Sequence, residues 1–169
     1  RGEHRNLGPK APRGFLQVAY SGAAPKIETQ QSGRRELAEW IASPDHPLTA
    51  RVFVNRIWHH LLGQGIVSSV DNFGRLGDKP THPELLDRLA ADFMREGWST
   101  KKAVRQIVLS RTYQMSSQHN ERSWNADPQN RLLWRAHRRR IPAESIRDAV
   151  LSVSGQLDLT PDGSPVEGL

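Results

Sequence analysis

The chain has 169 residues, with 24 Lys and Arg against 18 Asp and Glu, a formal charge of +6 and a pI near 10.3. Hydrophobic residues make up 36% and mean hydropathy is −0.65, enough for one economical core and without a run of about 18 apolar residues to span a bilayer. The absence of cysteine excludes disulfides, a thiolate nucleophile, sulfur-held zinc and covalent haem attachment within this segment.

The segment 1–33 is rich in Gly and Pro around one apolar patch, Phe15-Leu16-Gln17-Val18, and reads as an extended arm with one edge strand. Helical spacing begins at Arg34, where Leu37, Trp40 and Ile41 fall on one face. After the breaker Ser43-Pro44-Asp45-His46-Pro47 a second helix is expected from about Leu48 to Leu62, with Gly63 as its stop. Its apolar face is Ala50, Val54, Ile57, Trp58 and Leu61.

The segment 63–80 is a Gly-rich loop. Thr81-His82-Pro83-Glu84 then reads as a capping box opening a helix that carries Leu85, Leu86, Leu89, Ala90 and Phe93 and ends at Gly97. Ser99 or Thr100 caps a fourth helix with Val104, Ile107, Val108 and Arg111 on one side. Asp127-Pro128 marks a fifth start, and Pro142 opens a sixth helix that Gly155 closes. The expected fold is all-α, an irregular orthogonal bundle of about six helices over 34–159, with the arm before it and a tail over 160–169 that leads on into further protein.

The second helix holds the polar residues with the most chemical potential. Arg51, Asn55 and His59 form one stripe four residues apart, with Arg56 and His60 beside it. The stripe suits an anion- or sugar-binding face with His59 as acid/base. The preferred reading is a structural role in which Arg51 and Asn55 satisfy carbonyls and hold the loop 63–80. A metal fits poorly: His59 and His60 point about 100° apart on a helix, and neither H-E-x-x-H nor an acidic calcium loop is present. No G-x-S-x-G elbow or nucleotide-binding glycine loop occurs.

The stretch RLLWRAHRRRIPAESIRDAV (131–150) carries six arginines. Arg138, Arg139 and Arg140 are anion-binding candidates, and Arg131, Arg135 and Trp134 supply the charge and the aromatic ring of a nucleic-acid surface. Against such a surface, Leu132, Leu133, Ile141, Ile146 and Val150 fall at core-like spacing, and Glu144 and Asp148 are placed to pair with arginines.

Four blocks carry a resemblance over nearly the whole chain. They are RGEHRNLGPKAPRGF (1–15), SPDHPLTARVFVNRIWHHLLGQGIV (43–67), DNFGRLGDKPTHPELLDRLAADFMREGWSTKKAVRQIVLSRTYQMSS (71–117) and DPQNRLLWRAHRRRIPAESIRDAVLSVSGQLDL (127–159). Together they resemble the planctomycete-specific domain-one family, whose function is unknown. The resemblance implies an exported, periplasmic or otherwise extracytoplasmic multi-domain protein, with haem c on a separate domain and no cofactor in this segment. It implies no catalytic residues, and this chain lacks a C-x-x-C-H motif. The expectation is a binding or accessory module for an anionic partner, such as an anionic glycan, or for a neighbouring haem domain of the same protein. Two alternatives are a polysaccharide-processing enzyme with an Arg/His site, and a nucleic-acid-binding domain.

Overall fold

The periodic segments become helices in the computed structural model, which describes residues 8–9, 12–16, 26–28 and 30–160. The described residues form α1 (Arg34–Ile41), α2 (Thr49–Leu62), α3 (Pro83–Arg95), α4 (Thr100–Val108), α5 (Glu121–Ala126) and α6 (Ala143–Val153), and no strand. The fold is all-α. Of the expected edge strand, Phe15 and Leu16 are not extended into a ladder, and Gln17 and Val18 lie outside the described residues. The tail beyond residue 160 lies outside them too.

The chain divides into two compact units, residues 1–137 and 138–169. In the first, α2, α3 and α4 pack on one another. Their core is Ala50, Val54, Ile57, Trp58 and Leu62 from α2, Leu86, Leu89, Ala90 and Phe93 from α3, and Ala103 and Ile107 from α4, with Ile66 and Val67 from the following loop. These faces are largely the ones that the 3.6-residue spacing selects. Aromatic contacts extend the core: Phe53 stacks on Phe93 at 5.0 Å and Trp98 meets Phe93 edge-on at 5.3 Å.

Trp98 also finishes α3. Its amide donates to the Phe93 carbonyl at 2.9 Å, and the Gly97 amide donates to Met94 at 3.1 Å, while Gly97 takes a φ of +72°. This is a Schellman ending with its apolar contact between Phe93 and Trp98, and it turns the chain directly into α4. Ser99 caps α4 by accepting from the Lys102 amide.

Three local expectations are corrected. The capping box at 81–84 does not form: His82 occupies the N-cap with Pro83 at the first helical position, so Glu84 sits one residue too early to reach back. Both the amide and the hydroxyl of Thr81 donate instead to the Ile66 carbonyl. Arg111 lies beyond the end of α4 and is exposed. The fifth helix precedes Asp127 rather than following it, because Asn120 caps α5 through the Ser123 amide and Asp127 ends it. Residues 127–142 are irregular, so Arg138, Arg139 and Arg140 lie on non-helical backbone.

The second unit is α6 and its flanks. Pro142 precedes α6 as expected, and Gly155 follows it with φ +72° while the Gln156 amide donates to Leu151 at 2.8 Å, a second Schellman ending. The core-like spacing of this region does not translate into burial. Ile141, Ile146 and Val150 are 60%, 52% and 62% exposed, and Leu132 in the first unit is 65% exposed. Among the five residues read as core there, Leu133 alone packs partly against the core of the first unit.

Candidate functional site

The polar stripe of α2 separates on folding into residues with different roles. Asn55 is completely buried, and its carboxamide is spent on one residue. Nδ2 donates to the Val67 carbonyl at 3.0 Å, and Oδ1 accepts from the Val67 amide at 2.9 Å. A side chain thus satisfies both backbone groups of a buried loop residue, as a neighbouring strand would. Gly65 makes the approach possible: a Cβ there would lie 2.4 Å from the Val67 carbonyl oxygen and 2.9 Å from Asn55 Nδ2. The loop-holding role is therefore the one that the Asn55 geometry takes.

Arg51, one turn earlier, is half-buried. Its Nε donates to Asp87 of α3 at 2.5 Å, and Nη1 donates to the Pro47 carbonyl. Arg56 is exposed and reaches Asp71 in the loop at 3.1 Å. His59 is half-buried with Nδ1 enclosed and unpartnered among the described residues, and its ring meets His60 at 5.6 Å. Arg138, Arg139 and Arg140 are exposed on the second unit. Arg51, Asn55 and Arg56 thus share one helix and one loop, while the three arginines belong to the other unit.

The loop held by Asn55 is itself tightly laced. Ser69 Oγ donates to the Asn72 carbonyl at 2.9 Å and accepts from the Asp78 amide at 2.8 Å, and Ser68 Oγ donates to the Asp78 carboxylate at 2.6 Å. Gly77 fits against Asn72, whose carbonyl oxygen would lie 1.9 Å from any Cβ at that position. Between this loop and the first turns of α2 and α3 lies a cleft of about 470 Å³. Leu48, Val67, Phe73 and Leu86 contribute apolar walls, Arg51, Arg75 and Lys79 contribute positive charge, and Asp78 and Asp87 contribute negative charge. His59 is not among its lining residues, and it lies about 12 Å along the helix from Arg51 at 1.5 Å per residue.

Charge is organised differently where α3 meets α4. Asp92 is only 4% exposed, and its carboxylate accepts from Arg88 Nε at 2.9 and 3.0 Å, from Arg95, and from Gln106 at 3.0 Å. Hydrogen bonds from Arg88, then Gln106 and Arg95, hold its carboxyl below the usual carboxylate range against the opposing effect of burial. Sequence reading missed Asp92; the signal available was Arg88 and Arg95 at i−4 and i+3 around an acid on the buried side of the helix.

His46, at the breaker before α2, was also missed. Its Nδ1 lies 3.3 Å from the Leu48 amide and 3.2 Å from the Thr49 amide, and accepts from them, capping α2 where Leu48 has no side chain to do so. The ring packs edge-on to Trp40 at 4.6 Å, and Trp40 packs on Phe15 at 5.3 Å. Burial pushes the imidazole below its ordinary pKa.

Among the described residues, no group of three or more His, Cys, Asp or Glu side chains is placed to hold a metal ion, and no helix is long and apolar enough to cross a membrane. No curated protein and no solved structure matches the chain. A family model does match, over residues 33–168, and that span takes in all six helices, the laced loop and its cleft. The chain belongs to the PSD1 family of proteins of unknown function (DUF1553).

Proposed function

We propose that this chain is a binding module that takes an anionic group of its partner in the cleft between α2, α3 and the loop 63–80. The observation that carries this reading is the charge left over inside a preformed cavity. Arg51 is ion-paired with Asp87, and Arg75 and Lys79, which make no ion pair among the described residues, outnumber the Asp78 carboxylate that Ser68 holds, so the lining carries an excess of positive charge. A volume of about 470 Å³ lies in the range of small-ligand sites, which are largely apolar with a few oriented polar groups. The Asn55 clamp and the serine lacing preorganise the loop, which lowers the ordering entropy of binding.

In the extracytoplasmic setting that the family resemblance implies, an anionic glycan has this chemistry. The test is calorimetric titration of the whole chain with a sulfated oligosaccharide, beside a double variant, Arg75→Gln with Lys79→Gln. The reading expects affinity that falls with salt and falls further in the variant. Equal affinity of the two proteins removes the cleft as the site.

A further inference from the structure

A second arrangement of charge, independent of the cleft, lies in residues 119–137. The Arg135 guanidinium carbon is 4.7 Å from the Trp134 ring centroid and 5.5 Å from that of Trp124. His119 packs against both indoles, at 6.3 and 5.6 Å. The backbone on either side is fixed at several points. Buried Asn130 donates from Nδ2 to the Arg135 carbonyl at 2.8 Å and accepts at Oδ1 from the Arg135 amide at 3.2 Å. The Ala136 amide donates to Ser116 at 3.0 Å, and Trp134 Nε1 donates to the Asp127 carbonyl at 2.9 Å. Leu133 is held at φ +57°, a conformation that a branched L-residue keeps only where its surroundings over-determine it.

Indole contact engages the Arg135 cation without using its five N–H donors. No described residue accepts a hydrogen bond from that guanidinium. The two carboxylates within 119–137 are engaged elsewhere: Asp127 accepts from the Leu132 amide at 2.8 Å, and Glu121 lies 3.6 Å from His119. The side chain is half-buried, so its donors are partly withdrawn from water while their geometry stays set for a planar two-point acceptor. The charge is felt locally. After burial itself, Arg135 is the next cause that holds the neighbouring His137 imidazole below its ordinary pKa.

We propose that Arg135, presented beside Trp124 and Trp134, binds a single oxyanion group through the free edge of its guanidinium. Carboxylate, sulfate and phosphate share the required chemistry of paired acceptor oxygens. The experiment is a nuclear magnetic resonance titration of the whole chain with acetate, sulfate and inorganic phosphate in separate arms at constant ionic strength. It follows the Arg135 Nε–H, the two indole N–H signals and the titration midpoint of His137. At least one anion is expected to shift these signals saturably and to raise the His137 midpoint, and comparison of the arms identifies which group is taken.

Arg135→Lys keeps the charge and loses the fork, and is expected to raise Kd by about tenfold. Circular dichroism is recorded beside the titration to check that Arg135→Lys keeps the fold of the parent chain. The double cleft variant at Arg75 and Lys79 is expected to leave these shifts in place, so failure here and failure of the cleft are separate results. Absence of a saturable shift in all three arms, or unchanged affinity in Arg135→Lys, overturns the proposal.

Discussion

A single buried carboxamide sets the shape of the largest loop. Asn55→Ala leaves the Val67 amide and carbonyl buried and unpaired, so a loss of about 2–3 kcal/mol is expected in urea unfolding. His46 adds a pH dependence of known sign. Its Nδ1 caps α2 as an acceptor, and its folded pKa lies below the unfolded value of about 6.5. The unfolded chain therefore takes up the proton first. The stabilisation is complete above about pH 6.5 and is lost as pH falls from there through the lower folded value. His46→Gln is expected to flatten that part of the stability–pH curve, leaving the share that His137, also lowered, contributes. Asp92 acts at a more acidic range: its folded pKa is depressed, so its stabilisation holds above about pH 4 and fades as pH drops through the folded value.

At the scale of elements, α2, α3 and α4 are legible in the sequence because apolar periodicity and stop signals agree there. Gly63, Gly97 and Ser99 each do in the structure what their residue type suggests. The fifth helix was misplaced because α5 is six residues long, too short for periodicity to register, and because Asp127-Pro128 imitates a start. The Asp127 side chain in fact accepts from Leu132 and its backbone ends α5. Burial is the other limit. A heptad-like stripe such as Ile146, Val150 and Val153 states which face is apolar, not whether anything covers it, and these residues are 52%, 62% and 92% exposed. The site was legible to the same degree. Sequence placed Arg51, Asn55 and Arg56 on one helix, but ion pairing by Asp87 and Asp71 is set by tertiary geometry. Hydrogen exchange is expected to separate the elements, with the amides of α2 and α3 protected by orders of magnitude more than those of α6, which has no buried residue.

For the whole molecule, stability rests on the three-helix core of the first unit. Phe93 ties its elements together there, stacked on Phe53, edge-on to Trp98 and bonded through its carbonyl to the Schellman turn. Phe93→Ala is expected to cost about 3–5 kcal/mol and to lower the melting midpoint, with α2, α3 and α4 lost in one transition by far-ultraviolet circular dichroism. Separate melting of α4 would show that the turn at Gly97 does not couple the two helices.

The Asn55 clamp has a chemical consequence for the ageing of the protein. Deamidation needs the Asn55 carboxamide to be attacked by the backbone nitrogen of Arg56, which the interior of α2 and full burial both oppose. Were it to occur, it would replace the donor that faces the Val67 carbonyl with a second acceptor, and bury the charge it creates. The helix that aims the clamp at the loop 63–80 therefore also protects it from chemical decay, and an aged preparation is expected to keep the loop tethered to α2.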